Sequence, residues 1–508
     1  MLLPPHSPTI PAEQLTQAAE HMPSPQRTLF RVRLLNLLRR LGRRDPEYRQ
    51  QLAYQRWLAQ QPPPPANTLP PSVRFSILLP VYQPPLAVLQ ATLQSVLAQT
   101  YPHWQLCVVD DASPNPQISA YLRQFAAQHP RVSLRVRSSN GHITASSADA
   151  LALANGEFVL LLDHDDLLAP HALHSLAQAI AEHPTADYLY TDEDKLTLAG
   201  ERFAPFFKPD WSPDLLMAQN YLTHLSCIRR ELLHTVGGFR AGFDGSQDYD
   251  LLLRVTEQAR HIVHVPHILY HWRISTASTA LAPTAKFYAY QSAMGALQSA
   301  LERRGQAAHI EMFTRHAGHY LLRRVPAHPH ARLGWVTSGT PNPHLLSLAQ
   351  PSGGNWLSGA ELSSADSLAH CDYLVFCHPH LTHFTPDWLE QLLAYAQLPH
   401  VGMAGGVVEA RNGRILHAGW EQRTGQWQVV GAGEKRAVPG VNGRLLITRN
   451  VPAVSAMLAV LSVQKLCAVG GWHTDLPITS AAEIELGTRL QSAGWHNVIV
   501  SHARGMMT

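Results

Sequence analysis

Charged residues are scarce in this chain of 508 residues, of which they make up 15%, against roughly 25% in an average globular protein. Hydrophobic residues account for 45%, which is enough to build packed cores and excludes a disordered polymer. The 40 basic and 37 acidic side chains leave a formal charge of +3, so the global charge does not indicate a nucleic-acid partner. Because a domain usually holds about 150 residues, we expect two or three domains.

Cysteine is also rare. The 5 cysteines include no C-x-x-C pair, and their odd number argues against a disulfide framework and a structural zinc site. The amino terminus lacks the basic and apolar regions of a secretion signal. The longest apolar run, Val451 to Val463, is shorter than the ~18 residues that suggest a membrane span. We therefore expect a protein of a reducing, cytoplasmic compartment, either soluble or peripheral to the membrane.

Residues 1–72 form a leader that is rich in proline and glutamine, and the proline run after Gln61 predicts a stiff linker at its end. Within the leader, leucines at helical spacing lie among arginines between Leu29 and Arg44, which predicts a basic amphipathic helix. Two interpretations remain open. The helix lies on an anionic membrane surface, or it packs on the next domain with the arginines from Arg31 to Arg44 in solvent.

Short apolar runs alternate with helical periodicity between Phe75 and about Trp272, which predicts an α/β domain around a mostly parallel sheet. We expect this domain to span residues 73–325. Several predicted strands end on or beside acidic side chains. Because the carboxyl ends of parallel strands meet at a ligand crevice, we expect these acids to converge. The acidic segments are Asp110-Asp111, Asp163-His164-Asp165-Asp166 and Asp192-Glu193-Asp194.

The D-x-D sequence Asp163-His164-Asp165 predicts a cation site, with a solvated acidic loop as the alternative. Clustered carboxylates repel one another unless a cation or positive partners offset their charge. A Mg²⁺ or Mn²⁺ ion held by one or two of them would leave positions for the oxygens of a substrate diphosphate. His271, at the end of a short apolar strand, is a candidate further ligand, although one histidine among 30 is more often structural.

Further segments suit a nucleotide sugar, each with a plainer alternative. The carboxylates of Asp110-Asp111 accept hydrogen bonds from a ribose or base, or they form a turn. The aromatic ring in Pro80-Val-Tyr82 lies beside such a base, or it belongs to the core. Asn140-Gly141 permits a close backbone approach to a ligand, or it makes a tight turn. Asp248 opens a predicted helix, where an acidic side chain is usually an N-cap.

Taken in order along the chain, these motifs resemble the family-2 inverting glycosyltransferases of GT-A fold. The matching motifs are Pro80-Val-Tyr82, Val109-Asp-Asp-Ala-Ser113, Asn140-Gly141, Leu162-Asp-His-Asp-Asp166, Thr191-Asp-Glu-Asp-Lys195, Gly237-Gly-Phe239, Gln247-Asp-Tyr-Asp250 and His271-Trp-Arg273. The resemblance extends from Phe75 to about Gly305. The leader segment Tyr54-Gln-Arg-Trp57 is also similar to the segment that precedes such domains in bacterial surface-polysaccharide transferases.

The resemblance implies a metal-dependent transfer, with Mn²⁺ or Mg²⁺, of a hexosyl or deoxyhexosyl group from a nucleoside-diphosphate sugar to a glycan or lipid-linked acceptor. It implies a place in bacterial surface-polysaccharide assembly, such as O-antigen, lipopolysaccharide or capsule. By the same resemblance Asp248 is the catalytic base, and Asp163, Asp165 and His271 hold the metal. The donor-binding residues it implies are Pro80, Tyr82, Asp110, Asp111, Asn140, Gly141 and Asp163. The acceptor-binding residues are Asp192, Glu193, Asp194, Trp211, Gln247, Trp272 and Arg273. Gln247 departs from the family, since many relatives carry an acidic residue there.

Residues 326–508 resemble a degenerate, truncated copy of the same domain. The motif Val469-Gly-Gly-Trp472 repeats one of the first domain, and Glu483 stands at the position that matches Asp248. His378-Pro-His380 replaces the D-x-D sequence, so we expect no sugar-nucleotide binding and predict a structural or acceptor-positioning module. No acid or cysteine accompanies these histidines at zinc-ligand spacing.

Two other classes of function remain as alternatives. One is a non-catalytic glycan-binding or assembly scaffold, against which Asp163, Asp165, Asp248 and His271 all speak because they are intact. The other is a metal-dependent phosphoryl-transfer enzyme, which acid clusters also suit. The chain lacks the P-loop sequence G-x-x-x-x-G-K-[ST] that many such enzymes carry.

Overall fold

A computed structural model describes the protein as two compact units, Met1–Pro64 and Pro65–Thr508. The described residues are 46–61, 73–274, 287–313, 316–436, 438–440, 443–472 and 479–507. The predicted basic helix between Leu29 and Arg44 lies outside them. In the first unit, helix α1 (Pro46–Ala59) is described. Across the described ranges, no helix combines the length and apolar character that crossing a bilayer requires.

The second unit begins with a sheet that has nine strands among the described residues. The strands are β1 (Phe75–Val81), β2 (Trp104–Asp110), β3 (Val132–Val136), β4 (Phe158–Leu161), β5 (Leu167–Leu168), β6 (Tyr188–Leu196), β7 (Arg202–Phe206), β8 (Ser226–Arg229) and β9 (Ile262–Arg273). Their spatial order is β3-β2-β1-β4-β8-β6-β9-β5, and β7 pairs with β6. The strands from β3 to β4 are parallel, as are β6 and β9, whereas β8 runs antiparallel between β4 and β6. The predicted α/β class is confirmed.

Helices cover both faces of this sheet, which explains why β1, β2 and β4 are almost fully buried. They are α2 (Leu86–Leu97), α3 (Pro116–Gln128), α4 (His142–Leu153), α5 (Ala172–Glu182), α6 (Pro213–Ala218), α7 (Arg230–Thr235), α8 (Gln247–Gln258) and α9 (Phe287–Arg303). On one face, α2 is buried through Leu89 and Leu93 and shares a core with α3 and α5. On the other face, α4, α6, α8 and α9 share a second core that includes Leu252 and Leu297.

A strand pair, β10 (Ala308–Met312) and β11 (Tyr320–Arg324), precedes a second sheet of nine strands among the described residues. The strands of the second sheet are β12 (Leu333–Val336), β13 (Trp356–Leu357), β14 (Tyr373–Cys377), β15 (Leu381–Phe384), β16 (Val401–Ala410), β17 (Ile415–His417), β20 (Arg449–Val451), β21 (Leu458–Ser462) and β22 (His496–Met507). A separate pair consists of β18 (Trp420–Arg423) and β19 (Gln426–Val429). The helices are α10 (Pro343–Ala349), α11 (Ala365–Leu368), α12 (Trp388–Ala396), α13 (Val463–Ala468) and α14 (Ser480–Ser492).

The second sheet repeats the strand order of the first. Its order is β13-β12-β14-β21-β16-β22-β15, with β21 antiparallel between β14 and β16 as β8 is between β4 and β6. The pairs β12–β14 and β16–β22 are parallel, as are their counterparts β1–β4 and β6–β9. Within the described ranges no strand follows β13, where β3 lies in the first sheet. The predicted truncated repeat is confirmed, while the predicted boundaries at residues 72 and 325 stay predictions.

Candidate active site

The loop after β4 carries the acidic residues of the D-x-D sequence. The Asp163 side chain is 47% exposed, whereas Asp166 is completely buried. Asp166 is held by two donors, because its Oδ2 accepts a hydrogen bond from the Tyr270 hydroxyl at 2.6 Å and its Oδ1 accepts one from the Arg273 backbone N–H at 2.7 Å. Burial, together with the negative charges of Asp163 and Asp165, holds the pKa of the Asp166 carboxyl well above its usual value.

A histidine that the sequence analysis did not single out completes a cluster of metal-binding groups at this loop. The Nε2 atom of His224, just before β8, lies 3.7 Å from Asp163 Oδ2. Ligand atoms of Asp163, Asp166 and His224 all lie within 4.8 Å of one another. Carboxylates suit Mg²⁺ and Mn²⁺, and an imidazole suits a first-row transition metal, so these side chains fit Mn²⁺ well.

Asp165 and His271, the other two predicted ligands, lie outside this cluster of described residues. The backbone carbonyl of Asp165 accepts a hydrogen bond from Arg273 Nε at 2.8 Å, and burial raises the pKa of the Asp165 carboxyl. On β9, His271 Nδ1 lies 2.6 Å from Asp194 Oδ1, so this imidazole contacts a buried carboxylate of β6. The assignment of these two residues to the metal stays a prediction.

Glu193 on β6 contacts His224 on the side away from the acidic loop. Its Oε2 accepts hydrogen bonds from the His224 backbone N–H at 3.1 Å and from the Thr223 hydroxyl at 2.8 Å, and lies 3.4 Å from His224 Nδ1. Burial opposes ionisation of Glu193, but the ammonium of Lys208 at 3.2 Å and the His224 imidazole lower its pKa to about 2. A carboxylate beside Nδ1 leaves Nε2 for a metal, and in many metal-binding histidines such a carboxylate orients the ring.

Asp248, the predicted base, lies at the start of α8 and is partly buried. Its Oδ2 accepts a hydrogen bond from Asn220 Nδ2 at 3.0 Å. Burial raises the pKa of the Asp248 carboxyl; the His224 charge opposes this shift and the Asp163 charge adds to it. Asn220, which contacts Asp248, lies four residues before His224, which contacts Asp163, so one short segment connects the start of α8 to the metal-binding cluster. A carboxyl with a raised pKa suits a general base.

The helix that begins beside Asp248 is held in place by a buried ion pair between Asp250 and Arg254. Arg254 Nε donates a hydrogen bond to Asp250 Oδ2 at 3.0 Å. The same guanidinium also donates to the Gly238 carbonyl at 2.7 Å. Gly238 has a φ of +63°, which favours glycine, and this explains the Gly-Gly-Phe motif. Asp250 therefore orients the helix, whereas Asp248 contacts Asn220.

The predicted donor residues at the ends of β2 and α4 meet in space. Asp111 Oδ1 accepts a hydrogen bond from the Gly141 backbone N–H at 2.9 Å and lies 2.9 Å from Arg137 Nε. The Asn140 side chain donates to the Asp111 carbonyl at 3.4 Å. Asp110 is completely buried, and its carboxylate accepts from the Ser113 backbone N–H at 3.1 Å. The loops that the sequence predicts to bind a nucleoside thus contact each other.

The end of β1 contacts the D-x-D loop. The Pro80 carbonyl lies 3.3 Å from His164 Nδ1. The Tyr82 ring is 45% exposed, so it does not belong to the core and can stack on a planar base. The donor role of these residues stays a prediction.

The three acids Asp192, Glu193 and Asp194 of β6, which are predicted to bind the acceptor, all pair with basic groups inside the protein. Asp192 Oδ1 accepts a hydrogen bond from the Lys208 backbone N–H at 2.8 Å and lies 2.9 Å from His264 Nε2. Asp194 pairs with His271 and, at 2.5 Å, with Arg202, and Glu193 pairs with Lys208. Their role toward the acceptor stays a prediction.

The remaining predicted acceptor residues have varied surroundings, and their role toward the acceptor stays a prediction. The Trp272 ring centroid is 5.9 Å from that of His224. Gln247 Oε1 accepts a hydrogen bond from the Gly245 backbone N–H at 3.0 Å, beside Asp248 in sequence. Trp211 is partly buried against the core that contains α6. Arg273 is buried and touches the D-x-D loop through the contacts given above.

Glu483, the residue at the start of α14 that matches Asp248, is not accessible to a substrate. Both oxygens of Glu483 are occupied, because Oε2 accepts from Trp420 Nε1 at 2.8 Å and Oε1 accepts from the Ser455 hydroxyl and the Ala456 backbone N–H, each at 2.9 Å. Glu483 is only 7% exposed. Arg489, six residues on, donates to the Gly471 carbonyl at 2.9 Å, which repeats the contact of an arginine with the Gly-Gly turn in the first sheet. The second copy keeps the framework but not an accessible base.

The first sheet thus carries an acidic loop after β4, and the helix α8 that packs on this sheet has the carboxylate Asp248 in its first turn. The sequence model of glycosyl transferase family 2 matches residues 76–233. Residues 76–233 thus match glycosyltransferase family 2, and the predicted family and fold are confirmed.

Proteins of bacterial polysaccharide assembly are among the relatives. The chain is 33% identical over 476 residues to the uncharacterized protein y4gI of Sinorhizobium fredii, a match that covers 84% of this chain and 52% of that protein. It is 30% identical over 480 residues to the O-antigen biosynthesis protein RfbC of Myxococcus xanthus, covering 85% of this chain and 37% of that protein. The chain thus spans about half or less of the length of these curated relatives. A solved structure of S. aureus TarS 1-349 in complex with UDP-GlcNAc matches at 20% identity and a TM-score of 0.37, covering 45% of this chain and 66% of that chain.

Proposed function

We propose that this protein transfers a glycosyl group from a nucleoside-diphosphate sugar to a hydroxyl of a glycan or lipid-linked acceptor, with inversion at the anomeric carbon. The observation that carries the proposal is that the segment from Asn220 to His224 contacts both Asp248 and the cluster of Asp163, Asp166 and His224. The similarity to an O-antigen biosynthesis protein supports a role in surface-polysaccharide assembly.

The proposed reaction is a single displacement. Asp248 accepts the proton of the acceptor hydroxyl while the oxygen of that hydroxyl forms a bond to the anomeric carbon. At the same time the bond from the anomeric carbon to the diphosphate oxygen breaks, and the nucleoside diphosphate leaves. Asn220 orients the Asp248 carboxylate during this step. Asp163, Asp166 and His224 would hold Mn²⁺ or Mg²⁺, which when bound offsets the charge of the leaving diphosphate. One displacement from the opposite face gives inversion.

A panel of nucleoside-diphosphate sugars, tested by thermal shift with and without Mn²⁺, identifies the donor, because a bound ligand stabilises the fold. With that donor, Asp248→Asn should lower kcat by about 10²- to 10⁴-fold, the usual contribution of a general base. Donor affinity should stay within about twofold, because a base acts mainly in the transition state.

The matched control is Glu483→Gln, which changes the corresponding position of the second sheet and should leave kcat unchanged. If Asp248→Asn weakened donor binding as much as it lowered kcat, Asp248 would be a donor ligand and not the base. If the protein bound no nucleotide in a manganese-dependent way and transferred no sugar, the alternative of a non-catalytic scaffold would replace the proposal.

We also propose that the protein works at the inner face of the cytoplasmic membrane when its acceptor is lipid-linked. The basic and amphipathic sequence between Leu29 and Arg44 supports this location. Sedimentation with vesicles tests it, since the full chain should bind vesicles that contain anionic lipid and not neutral ones. Equal binding to both, or to neither, would contradict the membrane location.

A further inference from the structure

One asparagine of the second sheet makes hydrogen bonds to the start of α6, in the segment that leads to Asn220. Asn450, on β20, accepts hydrogen bonds at its Oδ1 from the Ser212 hydroxyl at 2.9 Å and from the Asp214 backbone N–H at 3.0 Å. Its Nδ2 donates to Asp214 Oδ2 at 2.8 Å. Its backbone N–H donates to the Ser212 hydroxyl at 3.2 Å. Four hydrogen bonds therefore join Asn450 to the first turn of α6.

A second side chain of the second sheet's domain reaches the same helix. His400 Nε2 lies 3.2 Å from Asp214 Oδ2. Both Ser212 and Asp214 are at most 3% exposed, so these contacts are made away from water. Hydrogen bonds and ion pairs in such surroundings are strong and costly to break, which makes them suited to fixing a position.

The segment from Ser212 to Tyr221 contacts the proposed base. Tyr221, three residues after α6, accepts a hydrogen bond at its hydroxyl from the Ser212 backbone N–H at 3.0 Å, which closes the segment into a compact loop. The Tyr249 hydroxyl donates to the Leu216 carbonyl of α6. Asn220, in the same loop, donates to Asp248 Oδ2 at 3.0 Å.

We propose that Asn450 is a positioning residue for the transfer reaction: through α6 it sets the place of Asn220, and thereby the orientation of the Asp248 carboxylate. The degenerate second domain thus contributes to catalysis by holding the active site of the first. This inference rests on the proposed function, since it assigns Asn450 a role in the step that Asp248 performs.

The closed site of the second sheet agrees with this role. Glu483 has both oxygens bonded within its own domain, so that domain has no accessible base of its own. Its β20 nevertheless packs against α6 of the first domain. A copy that has lost its own chemistry but keeps a built contact with the neighbouring active site is expected to act through that contact.

The test compares Asn450→Ala, Asn220→Ala and the double variant in steady-state kinetics. Because small misplacements of reacting groups cost up to roughly 100-fold in rate, Asn450→Ala should lower kcat by roughly 10- to 100-fold. The KM for the donor should stay within about twofold, since the donor loops and the metal-binding cluster are untouched. The losses of the two single variants should not multiply in the double variant, because both act on the same carboxylate.

The matched control is Asn412→Ala, an exposed asparagine of the second sheet's domain that accepts a hydrogen bond from the Arg414 backbone N–H. It should leave kcat unchanged. The inference is wrong if Asn450→Ala behaves like Asn412→Ala, if it raises the donor KM as much as it lowers kcat, or if the losses of Asn450→Ala and Asn220→Ala multiply. Should Asn450→Ala fail to fold, Ser212→Ala removes only the hydroxyl of this contact and should lower kcat in the same way.

Hydrogen–deuterium exchange separates this inference from the proposed function. Asn450→Ala should speed exchange of the amides between Ser212 and Tyr221, while the amides of β1 and β4 exchange as in the unaltered protein. If exchange in that segment is unchanged, Asn450 does not hold it and the inference fails, whatever the enzyme's activity. If exchange changes as expected but the unaltered protein transfers no sugar, the proposed function fails, and the catalytic role of Asn450 fails with it.

Discussion

The choice between two histidines as metal ligand gives the sharpest prediction of the site. His224 lies in the cluster with Asp163 and Asp166, whereas His271 contacts Asp194. His224→Ala removes one of the three clustered ligand groups. Loss of a residue that only orients a ligand costs about 10- to 100-fold in metal affinity. Loss of the ligand itself should therefore cost at least about 100-fold, which corresponds to about 2.8 kcal/mol.

His271→Ala should have a much smaller effect. Asp194 keeps its contact with Arg202, and the clustered groups stay in place, so Mn²⁺ affinity should change by less than about threefold. Isothermal titration with Mn²⁺ in the presence of a nucleoside diphosphate measures both variants. His378→Ala, at the degenerate motif of the second sheet, is the matched control and should bind Mn²⁺ like the unaltered protein. An equal or larger loss in His271→Ala than in His224→Ala would refute the assignment of His224.

Three further predictions concern buried carboxylates and their partners. Glu193→Gln should weaken Mn²⁺ binding about 10- to 100-fold in titration calorimetry. Asn220→Ala removes a hydrogen bond that favours the charged form of Asp248, so it should raise the pKa of Asp248 and move the acid limb of the kcat–pH profile to higher pH; an unmoved limb would contradict this. The His400 contact holds the pKa of buried Asp214 below its usual value, although burial opposes this. Asp214→Asn should therefore lower the free energy of unfolding by roughly 3 kcal/mol at pH 7. This difference should shrink as the pH falls below about 4, the pKa of an aspartate in the unfolded chain, because the stabilisation by the charged Asp214 is lost there. A difference that is the same at pH 7 and pH 3 in denaturant titrations would count against the ion pair.

The strand ends that carry the candidate site were predictable because their signals are local. A buried apolar run followed by acids shows where a parallel strand ends, and β2 and β4 do end at Asp110 and at the D-x-D loop. The internal repeat was also predictable, since Val469-Gly-Gly-Trp472 copies the turn that Arg254 contacts in the first sheet. These motifs fix the strands and turns on which the site stands.

His224 was missed because its role depends on a strand that the pattern did not predict. β8 runs antiparallel between β4 and β6, and this insertion brings a histidine 61 positions after Asp163 to the acidic loop. The only local signal was a histidine directly before a short buried run, Leu225 to Ile228. Contacts between such distant segments have no signature in residue spacing.

The acids of β6 show that an acidic run in the sequence can be buried in the structure. Asp192, Glu193 and Asp194 look like a substrate-binding run, yet β6 lies between β8 and β9 and all three are at most 6% exposed. Their basic partners include Lys208 and His264, which come from other parts of the chain. Whether a carboxylate faces a substrate or a buried cation is decided by these partners, which sequence alone does not pair.

The configuration of the product tests the central claim most directly. With the donor that gives the largest manganese-dependent thermal shift, ¹H NMR of the new glycosidic bond reports the anomeric configuration. The account predicts inversion relative to the donor, and loss of product formation in Asp248→Asn but not in Glu483→Gln. A product with retained configuration would contradict a single displacement with Asp248 as the base.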